Sequence, residues 1–328
     1  FHYRATNGNP SVSFAEWMTP YWRIIAENKV VTDDFESFTG YKNTGYHLDA
    51  IKFANYLRRE YCLPRGVHHE IDTIKDCIKD TDGNIASVIG EKDIYLADLY
   101  IDCTGFTRKF VRDPSEMKIG RHYVNTALVC PMEHDKYNEY TKEYTESIAL
   151  KYGWLFRIHL QNRIGVGYVY SSHHCTDKVA RKEFEQYMDR PLREPRIIHW
   201  RPLVLKNPWS DNVVAIGTSA GFVDPLDATA LYNLQAGIVN LVRCLDKKPM
   251  VYNRLMRRIH NDALQFVEHQ YGLSKREDTS FWSLMSDREK YIPTNWKNHD
   301  TRTNTHQNIF PKDIWKQIIP QYELEKNL

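Results

Sequence analysis

The sequence predicts an α/β protein in which a core with a mixed β-sheet is followed by a helical C-terminal region. Three observations support this class. Short apolar runs with strand character recur between residues 67 and 216, and helical spacing appears at residues 48–61 and again from Thr229. The chain of 328 residues is long enough to bury a sizeable core. We predict that residues 1–240 form the core and that residues 241–328 form a mainly helical region packed on the same unit.

The individual elements follow from local patterns. Residues 48–61 have helical spacing and end before Pro64. Asp82-Gly83-Asn84 reads as the hairpin turn between the first two predicted strands. A helix is predicted from Thr229 to about Leu245. The predicted strands are Val67–Ile74, Ile85–Ile89, the stretch within Ala97–Gly105, residues 125–132, residues 153–171, and Val213–Ile216.

Composition excludes several classes of partner. The 44 basic and 42 acidic residues leave a net charge of +2, so we expect neither a nucleic-acid nor an anionic-membrane partner. The chain has no run of eighteen apolar residues, so we expect no transmembrane helix. Six scattered cysteines without a CxxC pair indicate reduced thiols, and we expect a cytoplasmic protein. Because the first residue is Phe1 rather than Met, we expect the chain to belong to a longer protein.

The segment at residues 217–237 carries the strongest functional signal. A buried strand, a turn of small residues and a helix N-terminus form a ready site for an anion or for the polar edge of a cofactor. Asp224 and Asp227 bracket a Pro-Leu step, which holds both carboxylates on a constrained turn. The alternative is an ordinary helix-capping turn.

Two further stretches carry weaker signals. The strand that ends at Gly105 lets backbone approach a cofactor closely, although an ordinary buried strand with a turn glycine gives the same pattern. Trp154, Phe156 and Ile158 share one face of a predicted strand, and such a stripe is also typical of a core. We predict no metal site, because neighbouring residues of a strand such as His173, His174 and Cys175 point to opposite faces.

Taken in order, these pieces resemble the flavin-dependent tryptophan halogenase family. The resemblance covers about residues 40–285 and implies a flavin-monooxygenase-like FAD-binding core with a mixed β-sheet and a helical C-terminal substrate region. Its motifs, in addition to the turn at residues 217–237, are Gly45-Tyr46-His47-Leu48-Asp49-Ala50, Asp98-Leu99-Tyr100-Ile101-Asp102-Cys103-Thr104-Gly105-Phe106, Glu146-Ser147-Ile148-Ala149, Gly153-Trp154-Leu155-Phe156-Arg157-Ile158, Gly167-Tyr168-Val169-Tyr170-Ser171-Ser172 and Arg276-Glu277-Asp278-Thr279-Ser280-Phe281-Trp282.

The resemblance implies an activity. Reduced FAD (FADH2), supplied by a separate flavin reductase, and oxygen oxidise chloride, bromide or iodide to hypohalous acid. This species travels through a tunnel to a small-molecule aromatic substrate, where a Lys and an acidic residue direct it onto an electron-rich carbon. The protein positions the cofactor and excludes competing reactions. The oligomeric state is left open, with a homo-oligomer as one alternative.

The resemblance also implies residue roles. Asp227 takes the place of the catalytic acid, and Thr229 and Ala230 occupy the halide-binding positions. Trp154, Phe156 and Ile158 match the signature wall that keeps substrate away from the flavin. The positions that match flavin contacts are Ile74, Gly105, Gly217, Thr218 and Leu231, and the candidates for the substrate side are His2, Trp282 and the aromatic residues near Trp296 and Trp315.

The chain departs from the family pattern at sensitive positions. The family's Glu is Asp227, its neighbouring Ser is Ala228, and a Gly of the halide loop is Ala230. In the signature wall the second Trp is Phe156 and the usual Pro is His159. The family's GxGxxG segment and its relay Lys have no counterpart in this chain. These departures leave two alternatives open, a flavin monooxygenase of the same fold and a non-catalytic relative.

Overall fold

The chain forms two compact units, each assembled from separate stretches of sequence. The computed structural model describes the backbone of residues 2–5 together with residues 47–111, 115, 124–134, 142, 144–272, 274 and 276–285. Unit 1 comprises Phe1–Glu70, Thr126–His199 and Glu277–Leu284, and unit 2 comprises Ile71–Asn125, Trp200–Arg276 and Met285–Leu328.

The regular elements confirm the predicted α/β class. The strands are β1 His2–Ala5, β2 Asp76–Lys79, β3 Ile85–Ile89, β4 Ile94–Tyr95, β5 Tyr100–Asp102, β6 Thr126–Met132, β7 Glu146–Leu150, β8 Gly153–His159, β9 Ile164–Tyr170, β10 Arg196–His199, β11 Leu203–Val204, β12 Trp209–Ser210, β13 Val213–Ala215 and β14 Gly221–Phe222. The helices are α1 Ala50–Tyr56, α2 Asp177–Met188, α3 Thr229–Cys244, α4 Pro249–Gly272 and α5 Ser280–Met285.

Unit 1 is built on one mixed sheet. Its strands lie in the order β1-β7-β8-β9-β6-β10, with β1 parallel to β7 and the other neighbours antiparallel. One face packs against α2, whose Ala180 and Phe184 are fully buried. Leu155 and Tyr168 project from β8 and β9 into the same core. Strand alternation therefore places residues 154, 156 and 158 on the opposite face of β8.

The buried carboxylate of Glu146 at the start of β7 lies in a cluster of charged side chains. Glu146 lies within 2.7 Å of Lys142, 3.4 Å of Arg157 and 3.6 Å of His159. Burial alone raises the pKa of the Glu146 carboxyl, but the contacts with His159, Lys142 and Arg157 outweigh it and lower the pKa to about 2. Between pH 2 and pH 4.5 the Glu146 carboxyl is therefore ionised in the folded protein but largely protonated in the unfolded chain.

We expect Glu146 to make stability depend on pH. Because its folded pKa is depressed, its contribution is fully present above pH 4.5 and is lost as the pH falls toward 2. In urea unfolding, Glu146→Gln should cost roughly 1–3 kcal/mol at neutral pH, with the gap to the wild type closing over that window. The control Glu91→Gln removes an exposed surface pair with Lys75 and should give a curve parallel to the wild type. A gap for Glu146→Gln that stays constant with pH would contradict this assignment.

Unit 2 contains the small sheets and the two long helices. In the sheet β12-β13-β5, β13 runs parallel to β5, and the side chain of Asn212 ties this sheet to the backbone of Ile85 at the start of β3. The helices α3 and α4 cover the buried strand β13. Gly237 permits close packing of α3, since a Cβ there would lie 3.3 Å from Ile216 and 3.4 Å from the Tyr252 hydroxyl.

Most predicted elements are confirmed, but the strand at Val67–Ile74 is wrong. This segment is not a strand, and the neighbouring strand is β2 at Asp76–Lys79. The end of the segment is tied to the residues after β3: the Thr73 carbonyl accepts a bond from the Glu91 N–H at 3.0 Å, and the Asp72 carboxylate accepts bonds from the N–H groups of Glu91 and Lys92. The Asp72 side chain thus shares these donors with the backbone, and no strand ladder continues toward Val67. The predicted hairpin turn is present, closed by a bond from the Asp80 N–H to the Asn84 carbonyl at 2.9 Å.

The other coarse predictions stand as follows. All six cysteines are free thiols. None of the helices in the described part of the chain is both long and apolar enough to cross a membrane. Residue 240 lies inside α3, and a division of the chain there stays a prediction.

Candidate functional site

A short strained turn connects β13 and β14 to the start of α3. After β14 the Asp224 carboxylate accepts a hydrogen bond from the Leu226 N–H at 2.9 Å, which closes a turn around Pro225. A 3-10 turn follows at Leu226–Ala228, and α3 begins at Thr229. The predicted strand, turn and helix N-terminus are therefore all present.

Two consecutive residues of this turn have left-handed backbone. Asp227 has φ +59° and Ala228 has φ +52°. Aspartate tolerates this region, whereas alanine pays a steric cost between its Cβ and the following carbonyl oxygen. Strain of this kind persists where the surrounding structure enforces it, and it is concentrated at functional sites. The turn projects the Asp227 carboxylate from the residue directly before the N-cap of α3.

We expect Ala228→Gly to stabilise the protein. Glycine adopts φ +52° without a Cβ clash, so the free energy of unfolding in urea should rise by about 1 kcal/mol. The matched control is Ala236→Gly in the interior of α3, which should instead lower it by roughly 0.5–1 kcal/mol. A loss of stability in both variants would show that the turn is not strained.

The two carboxylates of the turn are held by α4. Gln270 donates its side-chain amide N–H to Oδ2 of the half-buried Asp227. The Tyr271 hydroxyl donates to Oδ2 of the buried Asp224 at 2.8 Å. Neighbouring residues of one helix therefore fix both acids of the turn.

A small cavity with a largely apolar lining and a few polar groups lies behind the start of α3. Its volume is about 20 Å³, and Thr229 and Ala230, the predicted halide-binding residues, line it together with Asp224, Asn233 and His260. The helix starts without a side-chain cap on the N–H groups of its first turn. Those donors and the helix dipole favour an anion or a strong acceptor at this end of the helix.

A second cluster joins β5 to the turn after β13. The fully buried Asp102 carboxylate accepts hydrogen bonds from the N–H of Thr104 at 2.8 Å, the hydroxyl of Thr104 at 2.7 Å and the N–H of Phe110 at 2.9 Å. The Ser219 hydroxyl lies 3.2 Å from Asp102 and accepts a bond from the Gly105 N–H at 2.9 Å. This network holds the loop at Gly105 against the turn that carries Gly217 and Thr218.

The predicted flavin contacts occupy different environments. Gly105 has φ +70°, and no atom lies within 4 Å of the place where a Cβ would stand. Leu231 is 57% exposed on the first turn of α3. The carbonyl of Thr218 accepts a bond from Arg108 at 3.2 Å. The carbonyl of Ile74 accepts one from the Lys109 ammonium, so its backbone already has a partner, and Ile74 precedes β2 rather than lying in a strand as predicted.

The signature wall has the predicted geometry. Trp154 and Phe156 lie on one face of β8 with ring centroids 6.1 Å apart. Phe156 faces Gly167 on β9, where a Cβ would lie only 2.4 Å from the phenyl ring. Ile158 follows on the same face and is half-buried. The indole N–H of Trp154 has no hydrogen-bond partner among the described residues.

The candidates for the substrate side are less well placed. His2 lies in β1 opposite Glu146. Trp282 is buried in unit 1 and donates its indole N–H to the Leu150 carbonyl at 2.6 Å, so the structure gives it a packing role. A substrate role for either residue stays a prediction. Trp296 and Trp315 lie outside the described residues.

The histidines considered as metal ligands are also accounted for. His174 contacts the Ser280 hydroxyl at 2.9 Å and packs edge-on against Phe281. Among the described residues, no group of three or more His, Cys, Asp or Glu side chains is arranged to hold a metal ion.

Sequence reasoning missed two residues that support the turn and its cavity, Gln270 and His260. Both lie on α4, and only the packing of α4 onto α3 brings them to it. The signal for His260 was its spacing, since it follows Met256 by four residues and precedes Val267 by seven on the apolar face of the helix. A histidine on such a face is more often a core residue than a ligand, and its role becomes apparent from the cavity.

Comparison with known proteins places the chain in the class of flavin-dependent halogenases. The sequence profile of the tryptophan halogenase family matches residues 3–324. The chain belongs to the tryptophan halogenase family.

Individual relatives agree with this placement. Tryptophan 7-halogenase RebH of Lentzea aerocolonigenes is 32% identical over 253 residues, which are 73% of this chain and 48% of that protein. Xcc4156, a flavin-dependent halogenase from Xanthomonas campestris, superposes with a TM-score of 0.78 at 25% identity over 94% of this chain and 66% of that one. The tryptophan halogenase from Shewanella frigidimarina gives a TM-score of 0.74 at 27% identity over 84% of this chain and 57% of that one.

These comparisons confirm the predicted fold class. The chain spans about half the length of RebH.

Proposed function

We propose that this chain is the acid- and halide-bearing part of a flavin-dependent halogenase that acts on an electron-rich aromatic small molecule. The observation that carries the proposal is the left-handed turn at Asp227 and Ala228, which presents a half-buried carboxylate beside the N-terminus of α3. Membership of the tryptophan halogenase family supports it.

The chain's own residues would divide the work as follows. The N–H groups of Thr229 and Ala230 at the uncapped start of α3 would hold the halide through their dipoles. Asp227, held by Gln270, would stabilise positive charge on the substrate ring and accept its proton. Because Asp227 is one methylene shorter than the glutamate of the family pattern, its carboxylate would reach a different point or act through water.

The residues around Gly105 fit a flat cofactor. The open space at Gly105 and the exposed side chain of Leu231 leave room for close approach of a ring system to the backbone. Gly105, Gly217, Thr218 and Leu231 would hold the flavin. When bound, reduced FAD supplies two electrons that, together with two from the halide, reduce oxygen to water and hypohalous acid. We infer a separate flavin reductase as the source of FADH2 and the cytoplasm as the site of action.

The test uses the full-length protein with FAD, a flavin reductase, oxygen and either bromide or chloride against a panel of indoles, phenols and pyrroles. Mass spectrometry should show products with the isotope pattern of the halogen supplied. Gain of oxygen without halogen would identify a monooxygenase, which the substituted wall residue Phe156 favours as the second candidate. No turnover across the panel would indicate a non-catalytic relative.

A further inference from the structure

The strongest unexplained feature of unit 2 is His260 in the cavity behind α3. Its side chain is 2% exposed, yet neither ring nitrogen has a hydrogen-bond partner among the described residues. A buried imidazole without partners is costly, because its N–H and its lone pair have both left water. Burial lowers the pKa of His260 to about 4, so near neutral pH it is an uncharged ring with one N–H to donate.

The other groups around the cavity point to the class of ligand. Thr229 and Ala230 bring the uncapped first turn of α3 to the same space. The Asn233 amide oxygen also lacks a partner among the described residues, and a half-turn of that amide would offer its N–H2 instead. The cavity is therefore lined by three kinds of hydrogen-bond donor: the N-terminus of a helix, an imidazole and a side-chain amide.

The size and the acids of the cavity restrict the ligand further. A volume of about 20 Å³ has room for one particle of about the size of a water molecule. Asp224 faces the same cavity, but its two oxygens accept from the Leu226 N–H and the Tyr271 hydroxyl, which disperses its charge. The site is therefore suited to a monatomic anion held by several donors, with modest affinity because a carboxylate is near.

We propose that His260 is a halide ligand, whose N–H completes the site formed by Thr229 and Ala230 and favours chloride over bromide. The inference rests on the proposed function, because that function supplies the halide. The positions of His260, Thr229 and Ala230 around the cavity do not depend on it. Chloride is the smaller ion and the stronger hydrogen-bond acceptor, so an added N–H donor stabilises chloride more than bromide. His260 is in this sense a residue that determines halide specificity.

The test measures halide binding to the full-length protein in the absence of flavin and substrate. The line width of the chloride-35 NMR signal reports the binding. The wild type should broaden the signal, and added bromide should reverse the broadening. His260→Leu should raise the chloride Kd about fivefold, as expected for the loss of one hydrogen bond, and should change the bromide Kd less. His260→Gln, which restores an N–H donor, should recover most of the chloride affinity.

Controls separate the ligand role from a structural one. His68→Leu removes an exposed histidine and should bind chloride as the wild type does. The circular dichroism and melting temperature of His260→Leu should match the wild type, and if that variant unfolds, His260→Gln against His260→Met gives the same comparison. Equal chloride affinity in wild type and His260→Leu, or no reversible broadening in the wild type, means that the cavity holds water and overturns the proposal.

The two proposals fail separately. Halogenated product together with an unchanged chloride KM in His260→Leu would leave the enzyme function standing and sink the role of His260. Chloride binding that depends on His260, in a protein that yields no halogenated product under any condition, would sustain the halide site and refute the halogenase.

Discussion

Replacing Asp227 with Asn should remove most of the halogenation activity while flavin binding stays intact. The substitution keeps the shape of the side chain and its left-handed backbone, which asparagine tolerates. Under the proposed function, it removes the negative charge that would stabilise a cationic substrate ring and the group that would accept the proton of that ring. Loss of one such group lowers kcat by about 10²-fold or more. The measurement is the steady-state rate of product formation with saturating halide, beside a titration of FAD followed by fluorescence.

The design of this experiment depends on Gln270. Its amide donates to the Asp227 carboxylate, and an amide at position 227 can accept the same bond through its oxygen, so the turn should stay in place. Asp246→Asn removes an exposed carboxylate just past the end of α3 and should keep wild-type kcat and FAD affinity. Halogenation by Asp227→Asn within twofold of the wild type would end the catalytic role of Asp227.

The parts of the fold that were predictable from sequence are those whose cause is local. The strands β6, β8 and β9 and the helix α3 follow from alternation or helical spacing in contiguous residues. The segment before β2 was not predictable, because the partners of the Asp72 carboxylate lie about twenty residues further along the chain. No local pattern shows that a side chain will share distant backbone N–H donors with the chain itself.

The candidate site divides in the same way. Asp227, Thr229 and Ala230 could be predicted as neighbours at a helix start because they are close in sequence. Their supporting groups on α4 were not found, since Gln270 is 43 residues from Asp227 in sequence. The left-handed backbone at Ala228 was also invisible, because alanine is not a residue that signals positive φ. Sequence thus predicted the turn and its acid, whereas packing determines how the acid and the cavity are held.

The largest effect on stability should come from Asp102. Asp102→Ala removes a fully buried acceptor from the N–H groups of Thr104 and Phe110 and from the Thr104 hydroxyl, whereas the Ser219 hydroxyl keeps the Gly105 carbonyl at 3.3 Å. We expect the free energy of unfolding in urea to fall by about 3–5 kcal/mol, since each buried donor left unpaired carries a desolvation cost. Asp102→Asn keeps one acceptor oxygen, so its free energy of unfolding should lie between those of the wild type and Asp102→Ala. This variant preserves the comparison if the alanine variant does not fold.

Asp80→Ala isolates the contribution of burial. Asp80 accepts three hydrogen bonds, one fewer than Asp102, from the N–H groups of Asp82 at 2.9 Å and Asn84 at 2.8 Å and from the Asn84 side chain at 3.1 Å, but it lies in the exposed hairpin turn. Water replaces the lost acceptor there, so the expected cost is only about 1 kcal/mol. Similar losses for Asp102→Ala and Asp80→Ala would mean that the number of bonds, rather than their burial, determines the effect. A much larger loss for Asp102→Ala would show that desolvation at the junction of β5 and the turn after β13 holds the glycine loop in place.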